Sequence, residues 1–169
     1  VKGIATLFKT WNIEHLEGRG ELLDARTIRV TKPDGAEIRV EADGLIIATG
    51  SSWPNLPLFP IDGTQIITSK QALDLSRIPA SLLIVGGGVE GCEFASLYSG
   101  LGTQVTLVEL VPRLLPLEDE EISQMMEREL KKRGVDIRTG VTVDQIVRQP
   151  EVVTAHLRDG LSLNVEQVL

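Results

Sequence analysis

Three glycines, Gly86, Gly88 and Gly91, stand at the spacing G-x-G-x-x-G. Alone, that spacing marks only a tight turn, and its surroundings add the chemistry. An apolar run, Leu82–Val85, leads into the glycines, and a helical pattern starts at Val89. A second apolar run, Val105–Val108, closes a unit of about 30 residues on an acid, Glu109. Gly86 then permits the turn, Gly88 leaves room for backbone to approach a pyrophosphate, and Gly91 lets the helix lie close to the strand. The helix start at Gly86–Gly91, with Gly87, Val89 and Glu90 between the glycines, offers unpaired N–H groups and partial positive charge to phosphate oxygens. Glu109 can accept hydrogen bonds from ribose hydroxyls, and its charge repels a 2′-phosphate. The pattern therefore favours NAD(H) over NADP(H). The alternative is a structural turn with Glu109 as a solvated strand end, and the joint pattern weighs against it.

Other reactive side chains are scarce. Cys92 is the one cysteine and lies on the expected nucleotide helix, where a small core role fits it. One thiol forms no internal disulfide, and an oxidising compartment is not indicated, so a cytoplasm-like setting is expected. His15 and His156 are far apart and are expected as solvated strand residues; with one cysteine, no metal site is expected. A formal charge of −7 disfavours nucleic acid or an anionic membrane as a general partner. No apolar run approaches the roughly 20 residues that span a bilayer. The chain starts at Val1 with no signal-like leader, and a processed or excised segment is expected.

These residues need elements to hold them. With 42% hydrophobic residues among 169, one domain plus a piece of another is plausible. Ile4, Leu7 and Phe8 recur at helical spacing. "IEHLEGRGELLDARTIRV" and "AEIRVEADG" alternate apolar and polar residues, predicting two or three antiparallel strands with turns at "GRG" and "KPDG". Leu45–Ala48 is continuously apolar, as in a strand buried on both faces. Residues 51–63 hold three prolines and no period, predicting a linker. "TSKQALDLSRIP" predicts a short helix capped by Thr68 or Ser69. After Pro116 an amphipathic helix is expected, with Ile122, Met125, Met126 and Leu130 on one face, acids in its first turn, bases in its last and Gly134 stopping it. Strands near Val135–Arg138, Val141–Val147 and Val152–Leu157 follow. The alternation predicts an α/β fold, a Rossmann-like parallel sheet with helices, preceded by a β-meander.

"SLLIVGGGVEGCEFASLYSGLGTQVTLVEL" followed by "VPRLLPLEDEEI" resembles the NAD domain of the flavoprotein disulfide reductases (class I pyridine nucleotide-disulfide oxidoreductases), and their dihydrolipoamide dehydrogenase branch most closely. "LEGRGELLDARTIRV", "LIIATGSSWP" and "IITSKQALDLSRIP" are similar to segments of that family, in its order. The resemblance covers essentially the whole chain. It implies residues 1–52 as the end of an FAD domain, including its ATG strand, and 53–169 as an NAD domain truncated before its last strand. It implies oxidation of dihydrolipoyl groups through a cysteine pair and FAD, with NAD+ as acceptor, a lipoyl-bearing protein of a 2-oxoacid dehydrogenase complex as partner, and a homodimeric parent. By the same resemblance, Val89 lies beside the nicotinamide, Glu93 pairs with a lysine near the flavin, Val141 flanks the adenine, and Gly20, Thr49, Gly50 and Ser51 touch FAD.

Two departures stand out. Glu90 occupies a position where the family commonly has an apolar residue, often isoleucine, at the nicotinamide end. A charge there would be costly if buried unpaired, could have a raised pKa or weaken hydride transfer, or could face water harmlessly. There is also no Cys-x-x-x-x-Cys pair, so the chain alone is expected to be inactive. Mercuric reductase, NADH oxidase and transhydrogenase-like relatives, or a non-catalytic NAD-binding module, are the alternatives.

Overall fold

The computed structural model describes residues 2–54 and 56–169. Val1, read above as a mark of excision, and Asn55, within the proline-rich linker, lie outside the described residues. The chain forms two compact units that divide between Ser51 and Ser52.

In the first unit, the 3.6-residue spacing of Ile4, Leu7 and Phe8 gives helix α1, Lys2–Thr10. Strands β1 (Arg19–Leu22), β2 (Thr27–Thr31) and β3 (Glu37–Glu41) form an antiparallel meander in that order. The turn at "KPDG" joins β2 to β3, with Lys32 N–H donating to Ala36 at 2.8 Å and Ala36 N–H donating to the Asp34 carboxylate at 2.9 Å. "GRG" is not a turn, because Arg19 and Gly20 already pair with Thr31 and Val30 in the β1–β2 ladder. His15 sits in the loop before β1 rather than on a strand, its ring 6.0 Å from that of Phe8. The strand expected over Leu45–Ala48 does not form, and Ile46 is 94% exposed. A fully apolar strand is stable only between neighbours that satisfy its backbone groups, and this segment has no ladder partner among the described residues.

The second unit runs α2 (Ser69–Leu73), β4 (Ser81–Val85), α3 (Val89–Gly100), β5 (Gln104–Glu109), α4 (Glu120–Lys132), β6 (Asp136–Thr139), β7 (Val143–Arg148), β8 (Val153–Leu157), β9 (Ser162–Val165) and β10 (Gln167–Val168). A four-stranded sheet has the order β10-β4-β5-β6, parallel throughout, and β7-β8-β9 form an antiparallel meander. The α/β fold with a parallel sheet is as expected. At the end of the chain Gln167 and Val168 pair in parallel with Leu82 and Leu83, and Leu169 N–H donates to Leu83 at 2.8 Å. Strand β9 is an addition to the expected strands, and it buries Val165 while Ser162 and Asn164 stay exposed.

The core shows why β4 and β5 lack alternation. Leu82, Ile84, Val105 and Leu107 pack with Phe94, Ala95, Tyr98 and Leu130 on the helix side. Leu83 and Val108 pack with Val143, Val153, Ala155 and Leu157 of the meander on the other. Both faces are covered, so both must be apolar. On α4, Leu130 is buried and Met126 partly so, but Ile122 and Met125 remain 46% and 50% exposed. No helix among the described residues is long and apolar enough to cross a membrane.

Candidate functional site

The sheet order puts β5, reached from β4 through α3, on one side of β4, and β10, reached through the β7–β9 meander, on the other. A crevice opens at such a point, outside the carboxyl ends of the strands. The glycine turn sits there. Val85 and Val108 are the last pair of the β4–β5 ladder, and β5 runs one residue further, Glu109 pairing with Thr139 of β6 beside the turn.

Gly86 has φ +116°, a conformation L side chains rarely adopt, and its N–H donates to Val108 at 2.8 Å. Gly88 is the N-cap of α3, and no side chain caps it. A Cβ at Gly88 would meet nothing within 4 Å, so the space in front of the helix start is open. A Cβ at Gly91 would overlap the Gly86 carbonyl, which lets α3 start hard against the turn. The first N–H groups of α3 have no partner within the helix and point into this opening. Val89 and Glu90 are exposed at its edge, so of the outcomes weighed for Glu90, burial of an unpaired charge does not occur. Glu93, one turn along α3, is exposed and has no hydrogen-bond or ion-pair partner among the described residues.

Glu109 organises the turn as well as flanking it. Its Oε2 accepts from Gly87 N–H at 2.6 Å and its Oε1 from Val111 N–H at 2.8 Å. Its backbone carbonyl accepts from Val141 N–H at 3.0 Å, so Val141 lies alongside. Each carboxylate oxygen keeps a further acceptor site. The Cys92 thiol points at the Gly87 carbonyl, 3.5 Å away. Burial, with a smaller push from the Glu109 charge, raises that thiol's pKa to about 11.

Sequence reasoning missed how tightly Gly87 is held. A Cβ there would lie 2.6 Å from Leu114 Cδ2 and 3.0 Å from Glu109 Cβ, and its carbonyl accepts from Leu115 N–H at 2.8 Å. Leu115 adopts φ +46°, costly for leucine. Arg113 braces it by donating to the carbonyls of Pro116 (2.7 Å) and Glu118 (2.9 Å) and to Ser123 Oγ (3.1 Å); Ser123 Oγ donates to Leu115 O at 3.2 Å. The only sequence signal was the unbroken run of three glycines.

On the other side of the turn from Glu109, a cleft of about 410 Å³ is lined by the glycines, by Trp53, Phe59, Val89 and Phe94, and by Glu90. An open, uncapped helix start, a carboxylate beside it and an apolar cleft fit a dinucleotide's phosphates, ribose and ring. The other expected contacts belong to the first unit. Gly20 is in β1 opposite Val30, and Thr49, Gly50 and Ser51 are exposed and outside regular structure. His156, on β8, has its Nδ1 2.8 Å from Ser162 Oγ.

A family described as pyridine nucleotide-disulphide oxidoreductase matches residues 2–169. A dihydrolipoyl dehydrogenase of Bacillus subtilis (strain 168) is 43% identical over 146 residues, 86% of this chain and 32% of that protein. A dihydrolipoyl dehydrogenase of Chlorobaculum tepidum is 39% identical over 156 residues, 92% of this chain and 33% of that protein. The crystal structure of LpdA from Mycobacterium tuberculosis superposes with a TM-score of 0.84 at 33% identity, over 99% of this chain and 38% of that one. The chain thus spans about a third of the length of these curated relatives.

Proposed function

The chain belongs to the pyridine nucleotide-disulphide oxidoreductase family, and on that premise we propose that it is the NAD(H)-binding portion of a flavoprotein dihydrolipoamide dehydrogenase. The parent protein oxidises dihydrolipoyl groups through a cysteine pair and FAD and reduces NAD+. The observation that carries the nucleotide part is the uncapped start of α3, open at Gly88, with the Glu109 carboxylate fastened to the same turn.

When bound, the nicotinamide supplies the hydride-accepting carbon. The chain's own residues bind and orient. The N–H groups at the start of α3, from Gly88 to Gly91, hold the pyrophosphate, and Gly86 and Gly87 shape the turn that aims them. Glu109 accepts from the adenosine ribose, with Val141 alongside, and Val89 and Glu90 border the ring's cleft. Glu93 serves the flavin side through a lysine of the parent. In this reading residues 1–52 close the FAD domain and residues 53–169 are the NAD domain, with Gly20, Thr49, Gly50 and Ser51 touching FAD. A lipoyl-bearing protein of a 2-oxoacid dehydrogenase complex is the partner and the parent is a homodimer. The single cysteine supports a reducing, cytoplasm-like setting.

Calorimetric titration of the chain tests this. NADH binds with a measurable affinity and NADPH at least tenfold more weakly, because a 2′-phosphate would meet Glu109. Equal affinity for the two would remove the role given to that residue. Dihydrolipoamide-driven NAD+ reduction by the chain alone would contradict a division of labour in which the cysteine pair lies elsewhere.

A further inference from the structure

A dinucleotide laid across the glycine turn has two halves on opposite sides of it. Glu109 stands at the end of β5 on one side, and the cleft of about 410 Å³ opens on the other, by β4 and β10. If the ribose next to the adenine takes Glu109, the nicotinamide half goes to the cleft. The cleft is mostly apolar, and among its described lining residues Glu90 is the one ionisable side chain. Glu90 is exposed and has no hydrogen-bond or ion-pair partner among the described residues. Lys70 and Glu93 line a neighbouring depression with it without pairing to it.

The two redox forms of the ligand differ in one charge. The oxidised nicotinamide ring is a cation and the reduced ring is neutral, while the pyrophosphate carries the same two negative charges in both. A carboxylate in the cleft repels the pyrophosphate equally in both forms and attracts only the oxidised ring. We infer that Glu90 makes this cleft discriminate the redox state of the ligand, favouring NAD+ over NADH relative to the same cleft with an uncharged side chain. The inference rests on the dinucleotide reading and extends it: the carboxylate favours entry of the oxidised carrier and exit of the reduced one. Because Glu90 lies in the first turn of α3, its charge should also weaken binding of anything that carries only the pyrophosphate.

The test is calorimetric titration of the full chain with NAD+, NADH and ADP-ribose, for the wild type, Glu90→Gln and Glu90→Lys. Glu90→Gln should tighten NADH and ADP-ribose more than NAD+, lowering the ratio of the NADH to the NAD+ dissociation constant about three- to tenfold, the size of one Coulomb interaction across a solvated cleft. Glu90→Lys should lower that ratio further. The difference between wild type and Glu90→Gln should shrink at about 1 M salt, where the screening length is about 3 Å. The thermal unfolding midpoint of Glu90→Gln should fall only slightly, since the side chain has no partner among the described residues and loses only its attraction to the start of α3. Equal shifts for NAD+ and NADH in the variants would overturn the inference and leave the nucleotide site standing. Failure of all three ligands to bind the wild type would overturn both.

Discussion

Replacing Gly88 with alanine separates the nucleotide site from the fold. The residue has φ −72° and ψ −171°, an extended conformation open to any L residue, and an added methyl group meets no atom within 4 Å. The folded state loses no packing, and the poorer capping by alanine at this N-cap position is offset by the freedom the unfolded chain loses, so stability should change by less than about 1 kcal/mol. The space the methyl fills lies in front of the first N–H groups of α3, where an anion must approach. Each hydrogen bond from backbone N–H to a charged acceptor is worth about 1.5–3 kcal/mol, so displacing the phosphates from one contact should cost about 10- to 100-fold in NADH affinity. Urea unfolding followed by circular dichroism, together with calorimetric titration of NADH, reads both quantities on one preparation. An alanine variant that unfolds like the wild type and binds NADH like the wild type would refute the assignment of the anion to this opening. A variant destabilised by more than 1 kcal/mol would show that Gly88 is packed, contrary to the geometry.

Gly91→Ala should behave in the opposite way: its methyl overlaps the Gly86 carbonyl, and overpacking of about 1–3 kcal/mol should outweigh the roughly 1 kcal/mol helix gain, visible as a lower urea midpoint. Asp62 sits before α2; partial burial pushes its pKa up, but backbone N–H donors from Thr64, Ile66 and Gln65 and the Arg148 guanidinium outweigh this and hold it well below the usual carboxylate range. A depressed carboxylate stabilises the fold fully above its unfolded pKa of about 4 and loses that contribution as pH falls further, so Asp62→Asn should flatten the acid limb of a Tm-against-pH curve and cost about 1–2 kcal/mol near neutrality. An unchanged acid limb would dismiss this role. Cys92, buried with its thiol pKa near 11, should resist iodoacetamide at neutral pH until the chain is unfolded, as mass spectrometry of native and denatured samples can check.

Much of the site was legible because its signals are local. The glycine spacing, the helix behind it and the acid at the end of the next strand are consecutive features whose periods follow from backbone geometry alone, and the structure brings Gly86–Gly91, Glu109 and Val141 together. The amphipathic stretch after Pro116 likewise gave α4, with acids at its start and bases at its end. Leu45–Ala48 shows the limit. Its composition says strand, but a strand exists only with neighbours to bond, and here Ile46 and Ile47 lie exposed.

By itself, then, the order of residues determined the parallel α/β pattern, the glycine turn and the acid beside it. Tertiary structure alone decided that Gln167 and Val168 pair with β4, more than 80 residues earlier in the chain, that Leu115, in a segment braced by Arg113, holds Gly87, and that Glu90 faces water at the mouth of an apolar cleft. Local periodicity is a property of neighbours along the chain. Pairing, close approach and exposure depend on which distant residues compete for the same space, and that competition is settled only when the chain folds.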